Sequence, residues 1–288
     1  MRILIIGKNG QLGKSLQKQV TEIKSNHNFT FVGRDELDLS FQDNIASYFE
    51  EKVFDIVINC AAYTSVDKAE KEPELANQIN HLAVAQLAVI SKVKHFKLIH
   101  ISTDYIFDGK NNKPYKETDS NNPINTYGKT KLAGENAIQD LMTTNAIIIR
   151  TSWVYSEYNN NFVSTMLKNV TKQKRLNIIS DQLGSPTYAT DLANVILKII
   201  NSQYYLSDNN KTEIYHFSNL GTTSWYEFAK EIFKIKKISC IVHPMTTSEY
   251  KTLADRPKNT VMDKDKIKQK FDVNLIAWKD SLKKCLTS

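Results

Sequence analysis

The sequence predicts an α/β fold: a doubly wound parallel sheet, with a smaller and mostly C-terminal part set against one edge of it. Three observations carry this. The chain opens on a short apolar run, Arg2 to Ile6, that stops at a glycine loop leading into a helix. β-branched runs and amphipathic stretches then alternate as far as Thr151, the pattern of a parallel sheet with helical crossovers. Beyond Thr151 the alternation loosens into aromatic and polar turns. A chain of 288 residues can bury a sizeable core in such an arrangement. The division expected is a sheet domain over 1–152, to which 188–218 returns, and a second part made of 153–187 and 219–288.

Taken in order, Arg2 to Ile6 reads as a strand buried on both faces. The loop Gly7-Lys8-Asn9-Gly10-Gln11-Leu12-Gly13 follows, and its helix carries on through Leu16 and Val20. Strand, glycine loop and helix N-terminus are the parts that bring backbone N–H groups against a pyrophosphate. A second strand, Thr30 to Val32, ends in Gly33-Arg34-Asp35, where a dinucleotide site chooses its ribose. An arginine there accommodates a 2′-phosphate and an acid binds a 2′-hydroxyl, so Arg34 leans toward NADP and Asp35 blurs the lean. The Asp38 carboxylate either reaches the adenine or caps the next helix at Ser40. Strand three, Phe54 to Asn59, leads into small residues, Cys60, Ala61 and Ala62, against which a cofactor can lie. A long amphipathic helix is expected from Glu74 to about Val93, with Leu82, Ala85, Leu87 and Val89 inward.

Strand four, Lys97 to Ile101, delivers Ser102-Thr103-Asp104-Tyr105 to the carboxyl edge of the sheet, where ligands bind in open α/β folds. The polar stretch Lys110 to Asn125 is a loop, and a helix starts after Asn125-Thr126. Tyr127 and Lys131 are four apart and share one face of that helix, because a turn takes about 3.6 residues. The lysine is expected to lower a phenol pKa that is about 10 when unperturbed. A phenol so tuned can give a proton to a carbonyl oxygen while hydride reaches the carbon, with the hydroxyls of Ser102 and Thr103 holding that oxygen. Ile147 to Thr151 is strand five. Further on come a helix opened by Asn160-Asn161-Phe162, a polar turn from Asp181 to Thr187, and a helix from Asp191 to Ile200. A strand from Glu213 to Phe217 and helices at Trp225 to Phe233 and Trp278 to Leu286 complete the pattern.

Composition narrows the function classes. Apolar residues are 41% and charged residues 24%, ordinary for a soluble globular protein. The net charge of +7 is spread among acids without a long run, which suits a small anionic substrate better than nucleic acid. Cys60, Cys240 and Cys285 lie far apart without metal-ligand spacing and read as reduced thiols in a cytoplasmic protein. No secretory leader or membrane span is expected at the N-terminus.

With these motifs in place, the chain resembles the dTDP-4-dehydrorhamnose reductases, within the extended short-chain dehydrogenase/reductase superfamily and its Rossmann-type fold. The segments that carry the resemblance are Gly7 to Gly13, Asn59 to Glu70, Ser102 to Gly109, Tyr127 to Glu135, Arg150 to Tyr155 and Asp181 to Thr187, with Arg256-Pro257 near the end. R-T-S-W-V-Y and D-Q-L-G-S-P-T are the specific ones. The resemblance implies reduction of the C4 ketone of dTDP-4-dehydro-L-rhamnose by NADPH, or alternatively NADH. By it Tyr127 protonates the oxygen, Lys131 tunes Tyr127 and grips the nicotinamide ribose, and Thr103 orients the ketone. Gly7, Gly10, Gln11, Leu12 and Gly13 would face the pyrophosphate, Asp38 and Leu39 the adenine, and Ala61, Ala62, Tyr63 and Ser102 the middle of the cofactor. Trp153 and Asp104 would bound the sugar, while Asp181, Gln182 and Arg256 would face the nucleotide diphosphate.

Two departures stand out. Cys60 replaces a frequent alanine and is expected to make the site thiol-sensitive. Lys14-Ser15 stand where some relatives place a glutamate of a metal-linked dimer, so no metal is expected and the chain is read as a monomer or homodimer. No motif sets the stereochemistry at C4. A reductase forming dTDP-6-deoxy-L-talose, and a non-catalytic relative of the kind that regulates methionine adenosyltransferase, are therefore the alternatives.

Overall fold

The computed structural model describes residues 1–288 except 24, 208, 209 and 288. Its centre is a six-stranded sheet, all parallel. The strands β1 (Arg2–Ile6), β2 (Asn28–Val32), β3 (Ile56–Asn59), β4 (Lys97–Thr103) and β5 (Ala146–Thr151) are joined at the far edge by Glu213–His216. Across the sheet the order is β2, β1, β3, β4, β5 and then Glu213–His216. The chain leaves β1 toward one edge and returns for β3 on the other side. The carboxyl ends of β1 and β3 therefore flank the switch point, where a crevice opens.

The strands read as continuous apolar runs because both faces are covered. Period-two alternation sorts their side chains. Ile3, Ile5, Ile56, Ile58, Ile99, Ile147 and Ile149 pack on one face with Leu12 and Leu16 of α1 (Gln11–Glu22) and with the helix Ala189–Ile200. Leu4, Ile6, Val57, Leu98 and Ile148 face the other way, toward α2 (Gln42–Phe49) and the helices that follow β3. A separate aromatic core joins Tyr155, Phe228, Ile232, Trp278 and Leu282 to the paired strands Arg175–Ile179 and Ile241–Met245. Those two strands, and the helix Asp265–Phe271, carry no clear period in the sequence and are found only in the structure.

After a short helix α3 (Val66–Ala69), the long helix expected from Glu74 to about Val93 is present, with a π-helical turn within it. It consists of α4 (Pro73–Asn77), the π-helical turn (Gln78–Leu82) and α5 (Ala83–Lys94), continuous along the chain. The widened turn inserts a residue and rotates the apolar face. Ile79, Ala83, Val84, Leu87 and Ala88 are buried as a result, while Leu82 and Val89, expected inward, are exposed. The same turn aims the buried Asn80 amide at the Tyr63 backbone, accepting from its N–H at 2.9 Å and donating to its carbonyl at 3.0 Å. A strand-end loop next to the crevice is thereby pinned by a helix irregularity.

The helix of Tyr127, α6 (Thr126–Leu141), starts where its cap dictates. The Asn125 side chain accepts from the Gly128 N–H at 2.8 Å and donates to the Asp255 carbonyl at 2.8 Å. Gly128 is required by packing, since a Cβ there would lie 2.2 Å from the Tyr105 carbonyl oxygen. This contact seats the start of α6 on the turn that follows β4.

Candidate active site

The crevice at the switch point is a cleft of about 480 Å³. Gly7, Gly10, Gln11 and Leu12 line one end, Gly33 and Arg34 the mouth, and Cys60, Ala61 and Ala62 one wall. Ser102, Tyr127 and Lys131 lie on the cleft as well. The glycine loop is shaped by close approach. Gly7 has φ 95°, and a Cβ on Gly13 would meet the Gly7 carbonyl oxygen at 2.2 Å. Gly13 thus packs α1 against the loop and does not line the cleft. Asp38 and Leu39 line a smaller adjoining cleft with Gly33 and Arg34, and Asp38 also bonds Ser40, accepting from its backbone N–H at 2.9 Å. The helix that follows starts at Gln42 without a side-chain cap, so Asp38 holds the turn at Ser40 and does not cap the helix. Tyr63 departs from its expected place: its hydroxyl donates to Glu72 at 2.6 Å, and Thr64 lines the cleft instead.

At the other end, Tyr127 is half-buried and its ring meets that of Tyr105 edge-on at 5.5 Å. The expectation that Lys131 lowers its pKa is not met. Loss of solvent dominates and pushes the phenol up to about 12, with the Thr103 hydroxyl drawing it down and Asp104 adding to the rise. Lys131 is turned away from the phenol. Its Nζ donates to the Ile101 carbonyl at 2.7 Å and lies 3.0 Å from His100 Nε2. Burial brings the lysine down to about 8, against the pull of Glu135.

Ser102 and Thr103 also part company, because neighbours on a strand face opposite ways. The Ser102 hydroxyl donates to Glu135, behind the cleft, and so does not hold the substrate oxygen. Thr103 is left as the hydroxyl beside Tyr127, and it donates to Asp104 at 3.1 Å. Asp104 is 1% exposed, and burial pushes its carboxyl up to about 7. Cys60 likewise is pushed up to about 12 by desolvation, which leaves little reactive thiolate near neutral pH.

The remaining predicted residues sit in the second core or at its border. Trp153 has φ 49° and stacks on Trp225 with ring centroids 3.5 Å apart. Asp181 accepts from the Thr247 N–H and hydroxyl at 2.8 and 2.7 Å. Gln182 is 3% exposed, and its amide is used by Trp225 and Thr247, so it braces the fold and does not face a diphosphate. The Arg256 fork is engaged by Asp67, with the closer contact at 2.6 Å. Sequence reasoning missed Asn9, Val154, Asn159 and Asn160 on the cleft. Asn159 donates to the Asn9 carbonyl at 2.7 Å, and the Gln11 side chain accepts from Ser156 and Asn161 at 2.9 and 3.0 Å. These contacts join segments about 145 residues apart, and no local pattern announces them. Among the described residues no cluster of His, Cys, Asp and Glu could hold a metal, and no helix is long and apolar enough to cross a membrane.

Comparison with known proteins agrees along the chain. The family model described as RmlD substrate binding domain matches residues 1–288. A dTDP-4-dehydrorhamnose reductase of Aggregatibacter actinomycetemcomitans is 39% identical over 98% of this chain and 97% of its own length. The crystal structure of a dTDP-4-dehydrorhamnose reductase from Clostridium acetobutylicum is similar with a TM-score of 0.92 and 38% identity, over 100% of this chain and 99% of that one. A Bacillus anthracis dTDP-4-dehydrorhamnose reductase, solved in complex with NADP, gives 0.91 and 36%, over 99% and 98%. Sequence, fold and relatives converge, and the chain belongs to the RmlD substrate binding domain family, that of the dTDP-4-dehydrorhamnose reductases.

Proposed function

We propose that this enzyme reduces the C4 ketone of dTDP-4-dehydro-L-rhamnose to dTDP-L-rhamnose, the last step of dTDP-rhamnose synthesis, as a cytoplasmic monomer or homodimer. The observation that carries the mechanism is one cleft with a glycine loop at one end and Tyr127 and Lys131 at the other, Thr103 beside the phenol. NADPH, when bound, supplies the hydride. Tyr127, with its pKa about 12, holds its proton throughout the neutral range and is ready to give it to the C4 oxygen. Thr103 orients that oxygen. Lys131, near 8, carries its charge below that pH and serves the nicotinamide ribose. Activity that needs the ammonium is therefore present below about 8 and declines as pH rises through it. Asp104 and Trp153 are proposed to bound the sugar, with Asp181 and Arg256 toward the nucleotide. The separate aromatic core supports the division of the chain into 1–152 with 188–218, and 153–187 with 219–288.

The glycine loop fits a dinucleotide, since backbone approaches closely where a Cβ at Gly7 would stand 2.9 Å from the Ala61 nitrogen. Arg34 supports NADPH over NADH: its side chain is 73% exposed at the cleft mouth and only 3.9 Å from Asp38 at its nearest. The nearby Glu36 is engaged by Lys8 and by the Gly33 N–H at 2.8 Å. Arg34→Ala is expected to lower the NADPH/NADH ratio of kcat/KM by about 10- to 100-fold, the scale of one charge-assisted hydrogen bond. An unchanged ratio would remove Arg34 from cofactor choice.

The function itself is tested by nicotinamide absorbance with enzymatically generated dTDP-4-dehydro-L-rhamnose, followed by NMR of the product. Oxidation of NADPH with a rhamno-configured product is expected. A talo-configured product would overturn the assignment of stereochemistry, and dinucleotide binding without oxidation would overturn the assignment as an enzyme.

A further inference from the structure

His100 lies directly behind Lys131, is fully buried, and has no role in the mechanism so far described. It occupies the middle of β4 with its side chain on the face that α6 covers, opposite Asn59 of β3 in register. Both ring nitrogens are used. Nδ1 lies 3.2 Å from the Asn59 amide nitrogen, and Nε2 lies 3.0 Å from Lys131 Nζ.

The orientation of Asn59 decides which nitrogen carries the proton. Asn59 Oδ1 accepts from the Ala61 N–H at 3.1 Å, so its amide nitrogen faces the ring and donates to Nδ1. A neutral imidazole that accepts at Nδ1 carries its proton on Nε2. That N–H points at Lys131 Nζ, which also donates to the Ile101 carbonyl. A neutral amine meets both demands with one lone pair and one N–H. An ammonium has no lone pair and sets donor against donor at Nε2. Moving the ring proton to Nδ1 only transfers the conflict to Asn59.

We propose that His100, locked by Asn59 as its Nε2–H tautomer, is a positioning residue for Lys131: it holds the amine and opposes the ammonium that the reduction uses, so the lysine gives up its proton more readily. This rests on the proposed role of Lys131 in the reduction. The other titratable groups near Lys131 are Tyr127 and Cys60 on the cleft and Glu135 on α6, itself paired with Arg150 of β5. Of these only Glu135 acts on the lysine charge appreciably, and it favours the ammonium. His100 is itself held neutral, well below its usual value, by burial and by the neighbouring lysine.

The test is NMR titration of lysine side chains carrying ¹³Cε and ¹⁵Nζ, with the Lys131 signal assigned by its loss in Lys131→Met. Imidazole ¹⁵N shifts of the wild-type protein are read alongside, with the His100 signals assigned by their loss in His100→Gln. His100 is expected as the neutral Nε2–H tautomer, and Lys131 is expected to titrate near 8. In His100→Gln the amide oxygen can accept from the ammonium. The Lys131 titration should then rise by about one unit or more toward the free value near 10.4, and the alkaline limb of the kcat/KM profile should move with it. Asn59→Asp reaches the same end separately, since a carboxylate draws the ring proton to Nδ1 and frees Nε2 to accept. It keeps the question open to measurement if His100→Gln fails to fold. An Nδ1–H or doubly protonated His100, or a Lys131 titration unmoved in a folded variant, would overturn the proposal. A loss of stability alone would show a structural residue only and overturn it equally. The titration needs no sugar nucleotide, so failure of the enzymatic assignment would appear in turnover and leave this readout intact.

Discussion

Replacing Tyr127 with phenylalanine is expected to lower kcat by about 10²-fold or more, the usual contribution of a placed general acid. The change removes one oxygen and keeps the ring, so the edge-on contact with Tyr105 and the seat of α6 on the turn after β4 survive. Dinucleotide affinity should change little, because the glycine loop and Arg34 lie at the far end of the cleft. The effect belongs in kcat and not in KM, since the proton moves only as charge develops on the C4 oxygen. A variant that kept most of its kcat would pass the proton-donor role to another group. Asp104, held near 7 and bonded to Thr103, would be the first to examine.

The second large effect is on stability. Glu135 and Arg150 are both 0% exposed and are joined by three hydrogen bonds of 2.6 to 3.1 Å. Glu135 also accepts from Ser102, and the Arg150 guanidinium stands over the Phe107 ring at 5.4 Å. Glu135→Ala leaves a buried guanidinium without its counter-charge, which costs about 3–5 kcal/mol. Arg150→Met in the Glu135→Leu background should recover much of that, because two apolar side chains leave no unpaired charge. Urea denaturation of Glu135→Ala, Glu135→Leu, Arg150→Met and the Glu135→Leu/Arg150→Met double variant checks this. If Glu135→Ala unfolded at nearly the wild-type urea concentration, the pair would contribute little, and Ser102 would need another explanation for its orientation.

The first half of the chain was open to reading from sequence because its signals are local. β1, the glycine loop and α1 are contiguous, and their apolar periods and glycines state strand, turn and helix without help from elsewhere. Tyr127 and Lys131 are likewise one turn apart on one helix, so their shared place on the cleft follows from helix geometry. The pairing of Arg175–Ile179 with Ile241–Met245 was not legible, since partners about 65 residues apart leave no local period.

What the sequence by itself determined is the parallel α/β architecture, the glycine-rich loop between β1 and α1 and the presence of a Tyr–Lys pair. Only the tertiary structure decided the state of that pair. A phenol pKa near 12 and a lysine near 8 come from desolvation, and desolvation depends on everything packed around the group. The same holds for Ser102, drawn back to a buried Glu135, for Gln182, used up by Trp225 and Thr247, and for Arg256, held by Asp67. A motif states which groups are present. Burial and competing hydrogen-bond partners, supplied by residues far away in the chain, state what those groups are free to do.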